Sequence, residues 1–449
     1  MLKGSEPTMS GQEMIDLCKK HTFWSWSAQS AVNPIPWSRA EGIYFYDTDG
    51  KPYIDMSSQL VCSNIGYGNK HVIEAIKNQA EGITYAGPNM ATRIRAEIGP
   101  LLSRHTPGDL NTFFFTLGGA EANESAIKLA RQKTGRQKII ARYRSYHGAT
   151  AGAITLTGDP RRWANEPSIP GVVRVFDPYE YRCTFDKQSC KGCSMPCLQH
   201  IEETIMYEGP QTIAAVFIET VTGTNGLIVP PDGYLQGLRE ICDKYDILLI
   251  CDEVMAGLGR TGEWFAVDHW QVIPDMIVMA KGLTAAYMPL GCVAMSDEIA
   301  AHFENKVFYG GLTYNAHPMC LAAAKATLEV LERDDLVGNS KRMGNIMAGH
   351  LSALKEKHPC VGDVRSLGLF GAIELVKNRV TKEPLAPYNS SSEPMNKLSG
   401  CFRENGLSTF IHWHKVFTTP PLIITEKELA DAFAIIDKGL EITDQYVEN

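Results

Sequence analysis

The chain has no apolar run approaching the roughly 20 residues that a bilayer-crossing helix needs, so its 449 residues hold no candidate transmembrane span. It also lacks an excess of basic charge. With 43 Lys and Arg against 51 Asp and Glu, the net charge is −8. That balance argues against nucleic acid or an anionic membrane as a partner, since both reward clustered positive charge. The opening stretch M-L-K-G-S-E-P-T-M-S lacks the apolar core of a signal peptide, and a cytoplasmic protein is expected. No internal repeat is visible. Cysteine is not scarce, at 12 residues, but Cys62, Cys242, Cys251, Cys292, Cys320 and Cys401 stand alone in apolar contexts. Isolated thiols of this kind behave as small buried hydrophobes.

What is present suffices for a large core. A hydrophobic fraction of 44% over this length suits two domains, interleaved rather than in series. Residues 41–57 hold two short alternating runs around Asp49-Gly50, a hairpin signal. From about residue 70 apolar strands alternate with helices. Strands are expected at Thr112–Thr116, Lys138–Arg142, Ile213–Glu219, Ile247–Cys251 and Met276–Ala280, with an amphipathic helix at Tyr234–Tyr245. That alternation implies an α/β fold with a mostly parallel sheet covered by helices, which binds ligands beyond the carboxyl ends of its strands. Later helices are expected at Met319–Glu332 and Lys427–Val447, with a polar loop over Val380–Lys397. The N-terminal hairpin and the C-terminal part are expected to form one smaller α+β domain.

Two residues fall at strand ends where they are expensive to keep. Lys281 ends M-I-V-M-A-K, and Asp252 ends I-L-L-I-C-D. A desolvated lysine has a depressed pKa and becomes a Schiff-base nucleophile. An aspartate is what a pyridinium nitrogen needs to stay protonated. The pair points to pyridoxal 5'-phosphate (PLP), although a lysine after a strand, taken alone, reads as a solvated strand end. T-L-G-G-A-E-A-N follows a strand and opens a helix, so the amides of Gly119 and Ala120 could face a phosphate. A glycine turn before an ordinary helix is the other reading. In S-Y-H-G-A-T, Tyr146 could stack on a planar cofactor, and His147 reads as a structural histidine. G-L-G-R-T-G, at Gly257–Gly262, matches a dinucleotide fingerprint only superficially, because no clean helix follows it. Cys183, Cys190, Cys193 and Cys197 cluster in a turn-rich stretch that includes C-x-x-C. Four such thiols can close a structural zinc site; an iron–sulfur cluster or reduced spectator thiols are the alternatives.

Taken in order, D-T-D-G-K-P-Y-I-D, G-G-A-E-A-N, S-Y-H-G-A-T, I-E-T-V-T-G, D-E-V-M-A-G-L-G-R-T-G, A-K-G, G-G-L-T-Y-N-A-H-P and P-P-L-I-I-T resemble the class III (omega) aminotransferases of PLP fold type I over nearly the whole chain. The resemblance is greatest to omega-amino acid and taurine aminotransferases. It implies a large PLP-binding domain over residues 66–320, with residues 1–65 and 321–449 forming the small domain. Lys281 would hold PLP covalently and shuttle the proton, Asp252 would pair with the ring nitrogen, and Val254 and Tyr146 would cover the ring faces. Gly119 and Ala120 would bind the phosphate. Thr313 would reach the phosphate of a neighbouring subunit, which requires a homodimer with shared active sites and leaves a tetramer open. Glu219, Trp24, Val61, His412, Trp413 and Lys415 would lie on the substrate side.

Two departures from the family pattern stand out. Gly118-Gly119-Ala120 replaces a serine-bearing phosphate cup, so backbone amides must do more. No arginine precedes P-P-L, where Phe410 stands instead, leaving His412, His414 and Lys415 as the cations of that stretch. The expected reaction is ping-pong transfer from a small amine or omega-amino acid (taurine, β-alanine or 4-aminobutyrate type) to pyruvate or 2-oxoglutarate. A same-fold aminomutase or racemase is one rival. A catalytically dead metal-binding scaffold using the four-cysteine loop is the other.

Overall fold

A computed structural model describes residues 9–185 and 194–448. The hairpin signal at Asp49-Gly50 is realised as β2 (Tyr44–Asp47) and β3 (Pro52–Asp55), preceded by β1 (Trp37–Glu41). Gly50 supplies the positive φ of the turn, at 83°. All three strands are antiparallel, and β3 also pairs in parallel with Leu407–Ser408, so distant parts of the chain share one four-stranded sheet.

The central sheet has seven strands: β4 (Thr112–Thr116), β5 (Lys138–Arg142), β6 (Val172–Val175), β7 (Ile213–Glu219), β8 (Leu248–Asp252), β9 (Met276–Met279) and β10 (Gly291–Met295). Their order is β4-β10-β9-β8-β7-β5-β6, and only β10 runs antiparallel to its neighbours. Every residue of β7, β9 and β10 is buried. This is why they read as continuous apolar runs rather than as alternating ones. β6 and β10 are additions to the strands expected from sequence.

A third sheet is built on β11 (Val361–Leu367) and β12 (Phe370–Asn378), with Lys415–Thr418 and Ile411–His412 beyond them. One expectation needs correction here. The polar stretch from Val380 is not loop throughout, because a helix runs over Glu393–Glu404. Pro394 lies in its first turn, where the missing N–H costs nothing. The final helix, Glu426–Asp444, is opened by a capping box between Thr425 and Glu428. No helix among the described residues is long and apolar enough to cross a membrane.

Candidate active site

Because β5, β7, β8 and β9 are parallel, their carboxyl ends lie along one edge of the sheet, and the residues that follow them meet there. A cavity of about 550 Å³ opens at this edge. Gly119, Ala120, Tyr146, Glu219, Asp252, Val254 and Lys281 all line it. These residues are scattered from Gly119 to Lys281 in the chain, and the sheet alone collects them.

Asp252 is 4% exposed. Its Oδ2 accepts from Asn123 Nδ2 at 2.9 Å and lies 2.8 Å from His147 Nδ1, while Oδ1 accepts the Val254 amide at 3.0 Å. His147 is therefore a direct partner of the key carboxylate and not only a packed histidine. Sequence could not pair the two, because β5 and β8 are separated in the sheet by β7. The His147 ring also meets Phe217 edge-on, with centroids 5.2 Å apart, and Asn123 donates to the His147 carbonyl at 2.6 Å. The carboxylate is thus held in orientation from several sides.

Lys281 follows β9 with φ at 41°, a left-handed conformation uncommon for a lysine. Burial pushes its amine below the ordinary lysine range, against the opposing charges of Cys62, Asp252 and Glu219. Glu219 is 3% exposed and accepts the Tyr146 amide at 3.0 Å and the Gly223 amide at 2.7 Å. Burial raises its pKa.

The helix Gly119–Thr134 begins against the cavity with no side chain among the described residues capping it. Its first amides stay open to an anion, and the helix dipole favours one there. A Cβ on Gly119 would lie 3.1 Å from Val254, so the glycine keeps this floor low. Gly148, at φ 134°, lets the chain pass Ala120, where a Cβ would meet it at 2.5 Å.

These residues fit PLP. They provide an amine with a depressed pKa, a buried carboxylate held by His147 and Asn123, an uncapped helix start, and a cavity large enough for a ring with a phosphate.

The substrate-side expectations are distributed differently. Val61 is buried and does not line the cavity; its neighbour Cys62 does. Cys62 is placed there by a left-handed turn, Ser58–Val61, with φ of 45°, 46°, 67° and 61°. Such a conformation costs about 1–2 kcal/mol for each non-glycine residue. Trp24 is half-buried, but its indole N–H has no partner among the described residues, and it is Trp26 that meets the Tyr146 ring, at 6.4 Å. Lys415 is 4% exposed, opposite Glu374 in the sheet and 5.3 Å from the Trp413 ring, outside the cavity lining. Glu374 is ion-paired to Arg182 and Arg365. His412 stacks on Trp413 with centroids 4.1 Å apart, and burial pushes its pKa down to about 4. Thr313 is exposed, does not line the cavity, and accepts at its carbonyl from the Tyr85 hydroxyl.

Sequence reasoning missed Arg161 altogether. Its guanidinium lies 3.6 Å above the Tyr146 ring. Asp159, which is 0% exposed, accepts from Arg161 Nε at 3.1 and 2.9 Å, and Thr224 Oγ1 accepts from Nη2 at 2.8 Å. Asn225 braces the same carboxylate at 3.1 Å. Nη1 has no hydrogen-bond partner among the described residues. The expectation that cations come from the 412–415 stretch is thus supplemented by one on a different loop. A D-P-R-R-W segment in a short 3-10 turn carries no signal that it will fold over a tyrosine that precedes it by a full loop.

Of the four clustered cysteines, Cys190 and Cys193 lie outside the described residues. Cys197 is buried in the helix Pro196–Glu208, and Cys183 follows a 3-10 turn. Among the described residues no group of three or more His, Cys, Asp and Glu could hold a metal ion. G-L-G-R-T-G forms a loop with φ of 87° at Gly259 and 88° at Gly262, followed by a 3-10 turn and not by the helix a dinucleotide site requires.

Residues 26–440 match the family model for class III aminotransferases. The chain is 34% identical to taurine–pyruvate aminotransferase of Bilophila wadsworthia, over 98% of this chain and 99% of that protein. It is 32% identical to putrescine–pyruvate aminotransferase of Pseudomonas aeruginosa, over 90% of each. The solved structure of taurine:2-oxoglutarate aminotransferase from Bifidobacterium kashiwanohense, in complex with PLP and glutamate, superposes with a TM-score of 0.94 at 40% identity, covering 97% of this chain and 99% of that one. Together with the sheet-edge cavity and its lysine–aspartate pair, these matches place the chain among the class III aminotransferases of PLP fold type I, which move amino groups from amines to keto acids on PLP.

Proposed function

We propose that the chain transfers the amino group of a small amine bearing a distal anionic group, of the taurine, β-alanine or 4-aminobutyrate type, to pyruvate or 2-oxoglutarate. The observation that carries this reading is Arg161. Its guanidinium covers the ring of Tyr146, a residue that lines the cavity, is held by Asp159, and has Nη1 free to donate among the described residues. A sulfonate or carboxylate at the far end of a short donor is the complement of such a guanidinium, and the bond would be charge-assisted. The relatives that act on taurine support the same donor class.

When bound, PLP supplies an aldehyde for the incoming amine and a ring that withdraws electrons from the carbon losing its proton. The chain supplies the rest. Lys281 Nζ, held below its ordinary pKa by burial, takes and returns that proton. Asp252, fixed by His147 and Asn123, keeps the ring nitrogen protonated. The open amides of Gly119 and Ala120 hold the phosphate, and Val254 and Tyr146 confine the ring. Glu219 orients Tyr146 through its amide. Thr313 completes the phosphate site of a second subunit, so the working unit is a homodimer. Its exposure, together with that of Tyr85, Tyr309 and Tyr314, suits a surface that a partner covers.

The test is a donor panel with pyruvate and with 2-oxoglutarate. Taurine, β-alanine and 4-aminobutyrate are expected to outperform amines without an anionic end. Activity confined to α-amino acids overturns the reading.

A further inference from the structure

The left-handed turn at Ser58–Val61 and the buried guanidinium of Arg260 explain each other. Four consecutive non-glycine residues at positive φ persist only where their surroundings over-determine them. The surroundings here converge on one side chain. Arg260 is 0% exposed and forms no ion pair among the described residues; Asp55 is the carboxylate whose charge acts on it. Its Nη2 donates to Ser58 Oγ at 3.2 Å and to Asn64 Oδ1 at 2.9 Å. Its Nη1 donates to the carbonyls of Leu369 at 3.0 Å and Pro420 at 2.5 Å. Ser58 Oγ in turn donates to the Thr419 carbonyl at 2.6 Å, and the Asn64 amide group donates to the Leu258 carbonyl at 3.0 Å. Both flanks of the turn are thereby pinned to the loop after β8 and to the end of the Lys415–Thr418 strand. Between the pins, Cys62 faces the cavity that Lys281 also lines. A guanidinium kept dry without a counter-ion is too costly to retain for packing alone.

We propose that Arg260 is a positioning residue for the active site: by fixing Ser58 and Asn64 it holds the left-handed turn, and the turn holds Cys62 on the cavity wall beside Lys281. This assigns a role to the arginine of G-L-G-R-T-G that has nothing to do with dinucleotides. Without the fork of hydrogen bonds the turn relaxes, Cys62 leaves the wall, and water reaches the lysine. The proposal rests on the reading of Lys281 only where turnover is measured. Its thiol arm is read on cofactor-free protein and stands apart from that reading.

The experiment compares wild type with Arg260→Lys, which keeps the charge and loses the planar fork. In cofactor-free protein, iodoacetamide labelling of Cys62 is followed by peptide mass spectrometry, with Cys18 as internal reference. Labelling of Cys62 is expected to quicken by about tenfold or more, as for a segment released into local opening, while kcat falls and KM for the donor changes less. The decisive arm is Leu60→Gly in the Arg260→Lys background. Glycine is at ease at φ 67° and the Leu60 side chain is exposed, so the turn should re-form, slowing the labelling and restoring kcat. A merely structural arginine would gain nothing from that glycine. Unchanged Cys62 labelling in folded Arg260→Lys, or no rescue by Leu60→Gly, overturns the proposal. Should Arg260→Lys not fold, Ser58→Ala and Asn64→Ala, each removing one pin, take its place with the same labelling and rescue measurements, and unchanged labelling in both overturns the proposal. If Cys62 labelling responds as expected and kcat does not, Arg260 holds the turn without positioning the active site, and the proposal is overturned while the role of Lys281 is untouched.

Discussion

The two walls of the cavity are built in different ways. The cofactor wall comes from the ends of β5, β7, β8 and β9 and from the start of the helix Gly119–Thr134, all elements whose backbones are fixed by the sheet. The wall expected on the substrate side is formed by Tyr146 and Cys62 and backed by two turns that do not line the cavity themselves. These are the 3-10 turn at Pro160–Asn165, whose Arg161 covers Tyr146, and the left-handed turn at Ser58–Val61, which leads into Cys62. The first wall supplies chemistry and leaves little freedom. Under the proposed function the second would supply selectivity, through contacts such as Asp159–Arg161–Tyr146, which bridge separate loops. On that reading catalytic geometry sits on rigid strands and recognition on loops that can vary around them.

The cofactor wall should fail most severely at the lysine. Lys281→Ala should lower turnover by on the order of 10⁴-fold, the upper range for a lost general acid–base, with PLP still bound non-covalently by absorbance. Sustained multiple turnover would remove Lys281 from the mechanism. Asp252→Ala should cost roughly 10²- to 10³-fold in kcat, comparable to losing one preorganised electrostatic group, and should weaken PLP binding in equilibrium dialysis. Unchanged kinetics would mean that another group faces the ring nitrogen.

The substrate wall should respond selectively. Arg161→Gln is expected to raise KM for taurine-type donors by about 10- to 100-fold, the value of a hydrogen bond to a charged group. Amines without an anionic end should change far less. Equal losses for both classes would make Arg161 a structural residue of the Tyr146 loop.

Lys415 tests by pH where the substrate wall ends. Burial pushes its pKa down to about 8, although Glu374 acts in the opposite direction. An unfolded lysine titrates near about 10.4. Between those values the unfolded chain binds the extra proton, so the cost of burying this charge is full below about pH 8 and fades as pH rises toward about 10.4. Stability of the wild type relative to Lys415→Met, from urea unfolding, should accordingly improve across that window by roughly 1–3 kcal/mol. A flat difference, coupled with a raised KM in Lys415→Met, would return this lysine to the substrate wall.

Much of the cofactor wall was legible in the amino-acid order. The run M-I-V-M-A-K announces a buried strand with a lysine at its end because every position of β9 faces apolar neighbours. T-L-G-G-A-E announces a helix start because glycines and the periodic residues after them leave few other choices. His147 was visible as a residue but not as a partner. Its contact with Asp252 depends on the order of strands across the sheet, which no local pattern encodes.

Local chemistry, then, was already fixed by the order of residues: which segments form strands and helices, where an anion could meet free amides, and which amine lies at a strand end. Those features follow from side-chain periodicity and from backbone preference within a few residues. It took the packed chain to put Arg161 over Tyr146, to turn Cys62 and not Val61 toward the cavity, and to commit Lys415 to the Glu374 cluster. Each is a contact between segments distant in the chain, and its position is set by how whole elements pack, a sum over many weak interactions that the residues near any one site do not reveal.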